Sequence, residues 1–145
     1  YLFDGYLLEN SKNQKPKLEN GFFDTGDIGL VKNNQLFIEG RRKDIFKKGG
    51  EIMSSKYLEN ISQRHLNVKE SCVVVKPDQS KGSNIYLFIV FKKVTEINKN
   101  VDDMMVFLKK KLKRNEMPDK IIPIPKIPKT SNGKYKTIEI EKIYL

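Results

Sequence analysis

The chain has 145 residues, 38% of them hydrophobic and 10% aromatic. That excludes wholesale disorder and allows one compact domain, or a small domain plus part of a neighbour. The longest apolar run, Ile85 to Phe91, is far short of the roughly 18 to 20 residues of a membrane-spanning helix, and no charged-then-apolar leader opens the chain, so neither spanning nor secretion is expected.

The net charge of +10, from 28 Lys+Arg against 18 Asp+Glu, invites nucleic-acid binding. Yet the lysines are scattered over most segments, and the aromatics do not alternate with them as a stacking platform requires. The absence of Ala and the abundance of Lys, Asn, Ile, Phe and Tyr point to A/T-rich coding as one source of the charge. Nucleic acid is therefore not expected as a partner. A single cysteine, Cys72, permits no internal disulfide and fits a reducing, cytoplasmic setting. The first residue is Tyr1, and a chain opening in this way is expected to be cut from something longer.

In chain order, Tyr1 to Leu18 is irregular, with an exposed loop expected over the polar stretch Ser11 to Lys17 around Pro16. Two short apolar runs follow, Ile28 to Val31 and Leu36 to Ile38, separated by Asn33-Asn34, which tolerate positive φ; this predicts a β-hairpin. Arg41 to Lys48 reads as a strand of charged and flexible residues, and Gly49-Gly50 as a turn. Ser54 and Ser55 are candidate N-caps of a helix running to about His65. Ser71 to Val75 and Asn84 to Val94 predict two strands joined by a turn over Pro77-Asp78 and Lys81-Gly82-Ser83.

Val101, Met104, Met105, Leu108 and Leu112 recur at three- and four-residue spacing, as on an amphipathic helix that covers the sheet. Ile121 to Ile124 predicts a further strand, confined by Pro123 to an edge or to its first position. After Pro125 and Pro128 comes the polar segment Lys129 to Lys136, then a helix from about Thr137 to Tyr144. The interleaving of helices and short strands predicts an α+β domain of two layers, with a short mixed or antiparallel sheet packed by helices. The expected division places residues 1–42 at the end of a larger domain and 43–145 in a small one.

Four segments carry candidate chemistry. Phe23-Asp24-Thr25-Gly26-Asp27 presents two carboxylates at the entrance to a strand, where they either cap the turn or accept a vicinal diol such as ribose. Gly40-Arg41-Arg42-Lys43-Asp44 offers forked cationic donors for phosphate or ribose oxygens, or is a solvated basic turn. Gly49-Gly50-Glu51 either relieves strain in a tight turn or leaves a gap for a slender ligand. Pro128-Lys129-Thr130-Ser131-Asn132-Gly133-Lys134 displays a Lys on a turn-rich loop, which is either solvated or able to meet developing negative charge. His65 and Cys72 have no partners in the sequence pattern that suggest a metal site or a catalytic triad.

Taken together, Gly21-Phe22-Phe23-Asp24-Thr25-Gly26-Asp27, the Gly40 to Asp44 run, Gly49-Gly50-Glu51 and Pro128 to Lys134 resemble the C-terminal part of the adenylate-forming acyl-CoA synthetase superfamily. In that family a large domain holds ATP with Mg2+ and a carboxylic acid, and a mobile C-terminal lid acts on them. The resemblance implies an acid–thiol ligase that makes an acyl-adenylate and then a coenzyme A thioester. Asp27 would bind the ribose hydroxyls, Arg41 the ribose and phosphate side, and Lys43 would be the hinge. Lys134 would serve adenylation. Gly49 and Gly50 would line the passage for the pantetheine of coenzyme A, with Lys47 and Lys48 as candidate phosphate contacts. Where many members carry Arg after the loop lysine, this chain has Lys136 and Thr137. Alone, the segment is expected to be inactive. Two other readings stand beside this one: an adenylating ligase that loads a carrier protein, and a non-catalytic basic module for nucleic acid.

Overall fold

A computed structural model describes residues 18, 19 and 21 to 145. The loop expected over Ser11 to Lys17 lies outside these. The chain divides into two compact units, Tyr1–Lys43 and Asp44–Leu145.

In the first unit, β1 (Leu18–Glu19) pairs antiparallel with β2 (Phe22–Phe23). The expected hairpin follows as β3 (Asp27–Lys32) and β4 (Gln35–Arg41). Asn33 and Asn34 hold φ of 51° and 61° in its two-residue turn, the left-handed conformation that matches the twist of the flanking strands. Lys32 faces Gln35 beside the turn and Asp27 faces Arg41 at the open end, across a bulge between Ile28 and Gly29. A 3-10 turn, Arg42–Asp44, follows and carries the chain into the second unit.

The second unit opens with a hairpin, in which the expected strand and turn are completed by a second strand that the sequence pattern does not announce. β5 (Ile45–Lys48) and β6 (Glu51–Ser54) pair antiparallel around Gly49-Gly50. That second strand has four residues, so its period-two pattern is too short to register. Helix α1 (Ser55–Gln63) then starts at the expected place: Ser54 has extended φ and ψ, and its Oγ accepts the Tyr57 N–H at 3.4 Å.

Strands β7 (Val68–Asp78) and β8 (Gly82–Phe91) form a long antiparallel pair, and β9 (Lys120–Pro123) joins β8 in parallel. The order β7-β8-β9 leaves both Pro77 and Pro123 on edge strands, where a missing N–H breaks no inner ladder. This tolerance carries β7 three residues beyond the expected Val75. Helix α2 (Ile97–Lys109) ends before Leu112, which is buried all the same in the turn that follows. The last helix, α3 (Thr137–Tyr144), matches its expected span. Among the described residues no helix is long and apolar enough to cross a membrane.

The α+β class holds, but the two-layer arrangement does not: the central sheet is covered on both faces. Val73, Ile85, Leu87, Ile89 and Phe91 pack with Leu58 and Ile61 of α1 and with Met104 and Leu108 of α2. Cys72, Val74, Phe88 and Val90 face the other way, onto Ile124, Ile127 and Ile140, the last from α3. Alternate residues of β8 thus enter opposite cores, which is why Ile85 to Phe91 is apolar without interruption. Each large side chain fully buried here, such as Phe88 or Leu87, contributes roughly 1.5 to 3 kcal/mol. On the open side of β7, the buried Glu59 of α1 accepts the Val73 N–H at 2.9 Å, supplying a partner for a backbone donor of the edge strand.

Candidate functional site

At the open end of the β3–β4 hairpin, register alone brings Asp27 opposite Arg41, and the Arg41 Nε lies 3.0 Å from the Asp27 carboxylate. Asp24 has a different part. It accepts the Gly26 N–H at 2.9 Å and receives the fork of Arg42 at 2.9 and 3.3 Å, so the turn-capping reading is correct for Asp24. The Asp27 N–H is held by Thr25 Oγ1 at 3.1 Å, and the Arg42 N–H by the Gly26 carbonyl at 2.7 Å. Two Asp–Arg pairs therefore clamp one turn from both sides. Such exposed pairs stabilise by only about 0.2 to 1 kcal/mol, so their main effect is orientation, with the Asp27 carboxylate aimed by a cation. Lys43 is exposed in the 3-10 turn.

Gly49 and Gly50 occupy the two-residue turn between β5 and β6 with φ of 57° and 82°. A type I′ turn demands positive φ at both places, which glycine adopts without strain. A Cβ built at either would meet no heavy atom within 4 Å, so backbone conformation, not crowding from the described residues, favours glycine here. The Gly49 N–H donates to the Lys81 carbonyl at 2.9 Å, tying this turn to the one between β7 and β8. Lys47 is exposed, but Lys48 is only 7% exposed and cannot serve as the phosphate contact expected of it. Its Nζ donates to the Met117 carbonyl and the Asp119 carboxylate, each at 2.9 Å.

Lys134 stands on a two-stranded loop. Lys129 pairs with Tyr135 across it, Thr130 and Lys134 exchange bonds at 2.8 Å (Thr130 N–H to the Lys134 carbonyl) and 3.1 Å (Lys134 N–H to Thr130 Oγ1), and the Lys136 N–H reaches the Pro128 carbonyl at 2.9 Å. The backbone of Lys134 is thus fixed while its side chain is exposed, and its Nζ makes no ion pair or hydrogen bond with any other described residue. The loop is anchored outside itself by Lys129, whose Nζ lies 2.8 Å from Glu70 and 5.4 Å from the centre of the Tyr135 ring.

The two features of the second unit are attached to opposite ends of β7. Glu70 is near its start, and Lys81 follows its last residue, Asp78. At about 3.3 Å per residue, the eight steps from Glu70 to Asp78 separate the anchors by roughly 26 Å. The loop that carries Lys134 and the glycine turn are thus anchored near opposite ends of β7.

Asp119, which the sequence reading missed, organises the glycine end. Its carboxylate accepts from Lys48, from Lys81 and from the Ile85 N–H. Desolvation opposes its ionisation, but these hydrogen bonds prevail and hold its carboxyl below the usual carboxylate range. No local pattern in Met117-Pro118-Asp119 announces this role. Of the weaker candidates, His65 sits edge-on to Phe107 with ring centres 5.2 Å apart, its Nδ1 accepting the Asn67 N–H. Burial, then the Glu59 charge, pushes the Cys72 thiol up to about 12, so it is an inert core group. Among the described residues no grouping of three His, Cys, Asp or Glu could hold a metal.

A family model described as the AMP-binding enzyme C-terminal domain matches residues 57–134. The chain is 32% identical over 131 residues to 2-methylpropanoate–CoA ligase of Humulus lupulus, covering 90% of this chain and 24% of that protein. To the medium-chain fatty-acid–CoA ligase of Escherichia coli it is 28% identical over 142 residues, covering 97% of this chain and 25% of that one. Among solved structures, ATP-bound MatB from Rhodopseudomonas palustris superposes with a TM-score of 0.76 at 26% identity, over 98% of this chain and 28% of that one. The chain spans about a quarter of the length of these relatives.

Proposed function

The chain belongs to the family of AMP-binding enzyme C-terminal domains, and from that premise we propose that it is the C-terminal segment of an ATP-dependent acyl-CoA synthetase, an AMP-forming acid–thiol ligase. In the first step a carboxylate oxygen attacks the α-phosphorus of ATP, entering as its Mg2+ complex, and pyrophosphate leaves. In the second, the thiol of coenzyme A loses its proton, its sulfur attacks the acyl carbon, and AMP departs. The observation that carries this reading is Lys134, a cation with an ordered backbone and an unengaged side chain. Its ammonium offsets the repulsion between two anions in the adenylation step, and it is in place before the charge develops.

The other roles follow by position. Asp27, aimed by Arg41, accepts the ribose hydroxyls, and Arg41 adds charge on the phosphate side. Gly49 and Gly50 line the path of the pantetheine arm, and the open space around both supports this. The separation of the anchors along β7 supports a lid that presents Lys134 for the first step and the glycine turn for the second. A hinge at Lys43 is supported by the division of the chain after that residue. The same passage would admit the pantetheine of a carrier protein, and the relatives' names as CoA ligases favour coenzyme A over it. A lone buried thiol suits a reducing compartment such as the cytoplasm.

The test uses the complete enzyme that carries this segment. Acids that the relatives' names supply, 2-methylpropanoate, medium-chain fatty acids, trans-cinnamate and 2-succinylbenzoate, are scored for ATP-dependent pyrophosphate release, with coenzyme A or a carrier protein as acceptor. Lys134→Ala should slow adenylate formation by about a hundredfold or more, equivalent to about 3 kcal/mol, and spare thioester formation from supplied acyl-adenylate. Equal loss in both steps, or no turnover of any acid by the parent enzyme, overturns the reading.

A further inference from the structure

Directly before the glycine turn, Lys48 points inward rather than to solvent, an unusual place for a lysine unless it is paired. It is paired twice, with the Met117 carbonyl and with Asp119. The same carboxylate takes Lys81 on its other oxygen and the Ile85 N–H of β8 at 2.7 Å. Lys81 closes the circuit, because its own carbonyl accepts the Gly49 N–H. Beside it Gly82 lies so near β5 that a Cβ there would stand 2.9 Å from the Lys47 carbonyl oxygen. One carboxylate thus holds the residue before Gly49 through Lys48 and the residue beneath Gly49 through Lys81. A pair with one buried and one partly exposed partner adds little net stability, but the buried Lys48 ammonium makes it geometrically demanding.

We propose that Asp119, acting through Lys48 and Lys81, is the positioning residue that sets the Gly49-Gly50 turn for the thioester-forming step. The proposal rests on the reading of that turn as the pantetheine passage. A hairpin of two four-residue strands has little rigidity of its own, and a turn meant to pass a slender chain loses its use if its tip drifts by an ångström. The lysine loop has a separate anchor at Glu70, so the device acts on one half-reaction and leaves the other alone.

The experiment compares the two half-reactions in the complete enzyme with the acid of the panel that turns over fastest, and follows hydrogen exchange at the Gly49 amide, which needs no acid. Asp119→Asn should lower kcat/KM for coenzyme A in thioester formation by about tenfold, leave adenylate formation within about twofold, and speed Gly49 exchange. Lys48→Met, which keeps the stem and leaves Asp119 bonded to Lys81 and Ile85, should act in the same direction if Asp119→Asn fails to fold. Gly49→Asn tests the underlying reading, because Asn adopts that φ and adds a side chain to the passage. Thioester formation slowed by Gly49→Asn but not by Asp119→Asn or Lys48→Met overturns the positioning role alone. Thioester formation untouched by Gly49→Asn overturns the passage itself, and parallel loss of both half-reactions in Asp119→Asn and Lys48→Met reduces the network to a structural one.

Discussion

Glu70 and Lys129 are 59 positions apart in sequence and 2.8 Å apart in space, and their ion pair ties the loop that displays Lys134 to the start of β7. Because both side chains are partly exposed, the pair contributes at most about 1 kcal/mol to stability. Its consequence is placement. In the complete enzyme Glu70→Gln should lower the rate of adenylate formation by about fivefold, the equivalent of 1 kcal/mol, with thioester formation and the thermal midpoint nearly unchanged. Half-reaction rates and a melting curve check it.

The glycine turn separates backbone demand from open space. Asn accepts the left-handed φ of 57° at position 49, so Gly49→Asn should alter unfolding free energy by less than about 0.5 kcal/mol. A β-branched residue at φ of 82° is strained, and Gly50→Val should cost about 1 to 2 kcal/mol. Urea unfolding of the two variants distinguishes them.

Acid should loosen the surroundings of the turn between β7 and β8 only below about pH 4. The Ser80 hydroxyl, then the Lys81 and Ser80 N–H groups, hold the Asp78 carboxyl at about 2, and hydrogen bonds hold that of Asp119 below its usual range. A lowered folded-state pKa stabilises fully above the unfolded value near 4, and that stability is lost as pH falls towards the folded value. Stability should therefore decline between about pH 4 and pH 2. Asp119→Asn should flatten that decline while lowering stability at neutral pH, as followed by urea midpoints across that range.

Cys72 offers a probe of global opening. Burial keeps its thiol protonated up to about 12, so iodoacetamide at pH 8 should label it only through unfolding. Labelling should accelerate steeply through the urea transition. Rapid labelling of the native protein would show that the core behind α3 opens locally.

How much of this was legible in the sequence depends on the distance over which each feature is encoded. Ser54 as a cap, Asn33-Asn34 as a turn, the buried run of β8 and helix α3 all rest on neighbours within a few residues, and sequence sufficed for them. The four motifs were legible for the same reason: each is a short run, and their order along the chain carried the resemblance. The second strand of the β5–β6 hairpin escaped because four residues carry too little pattern.

Beyond that range only the tertiary structure decided. Whether Lys48 faces solvent or core depends on a carboxylate 71 positions away. Whether the sheet is covered once or twice depends on Ile124, Ile127 and Ile140 folding back onto Cys72 and Val74. A charged side chain looks the same in sequence whether or not a partner waits for it, because desolvation and pairing are set by neighbours in space.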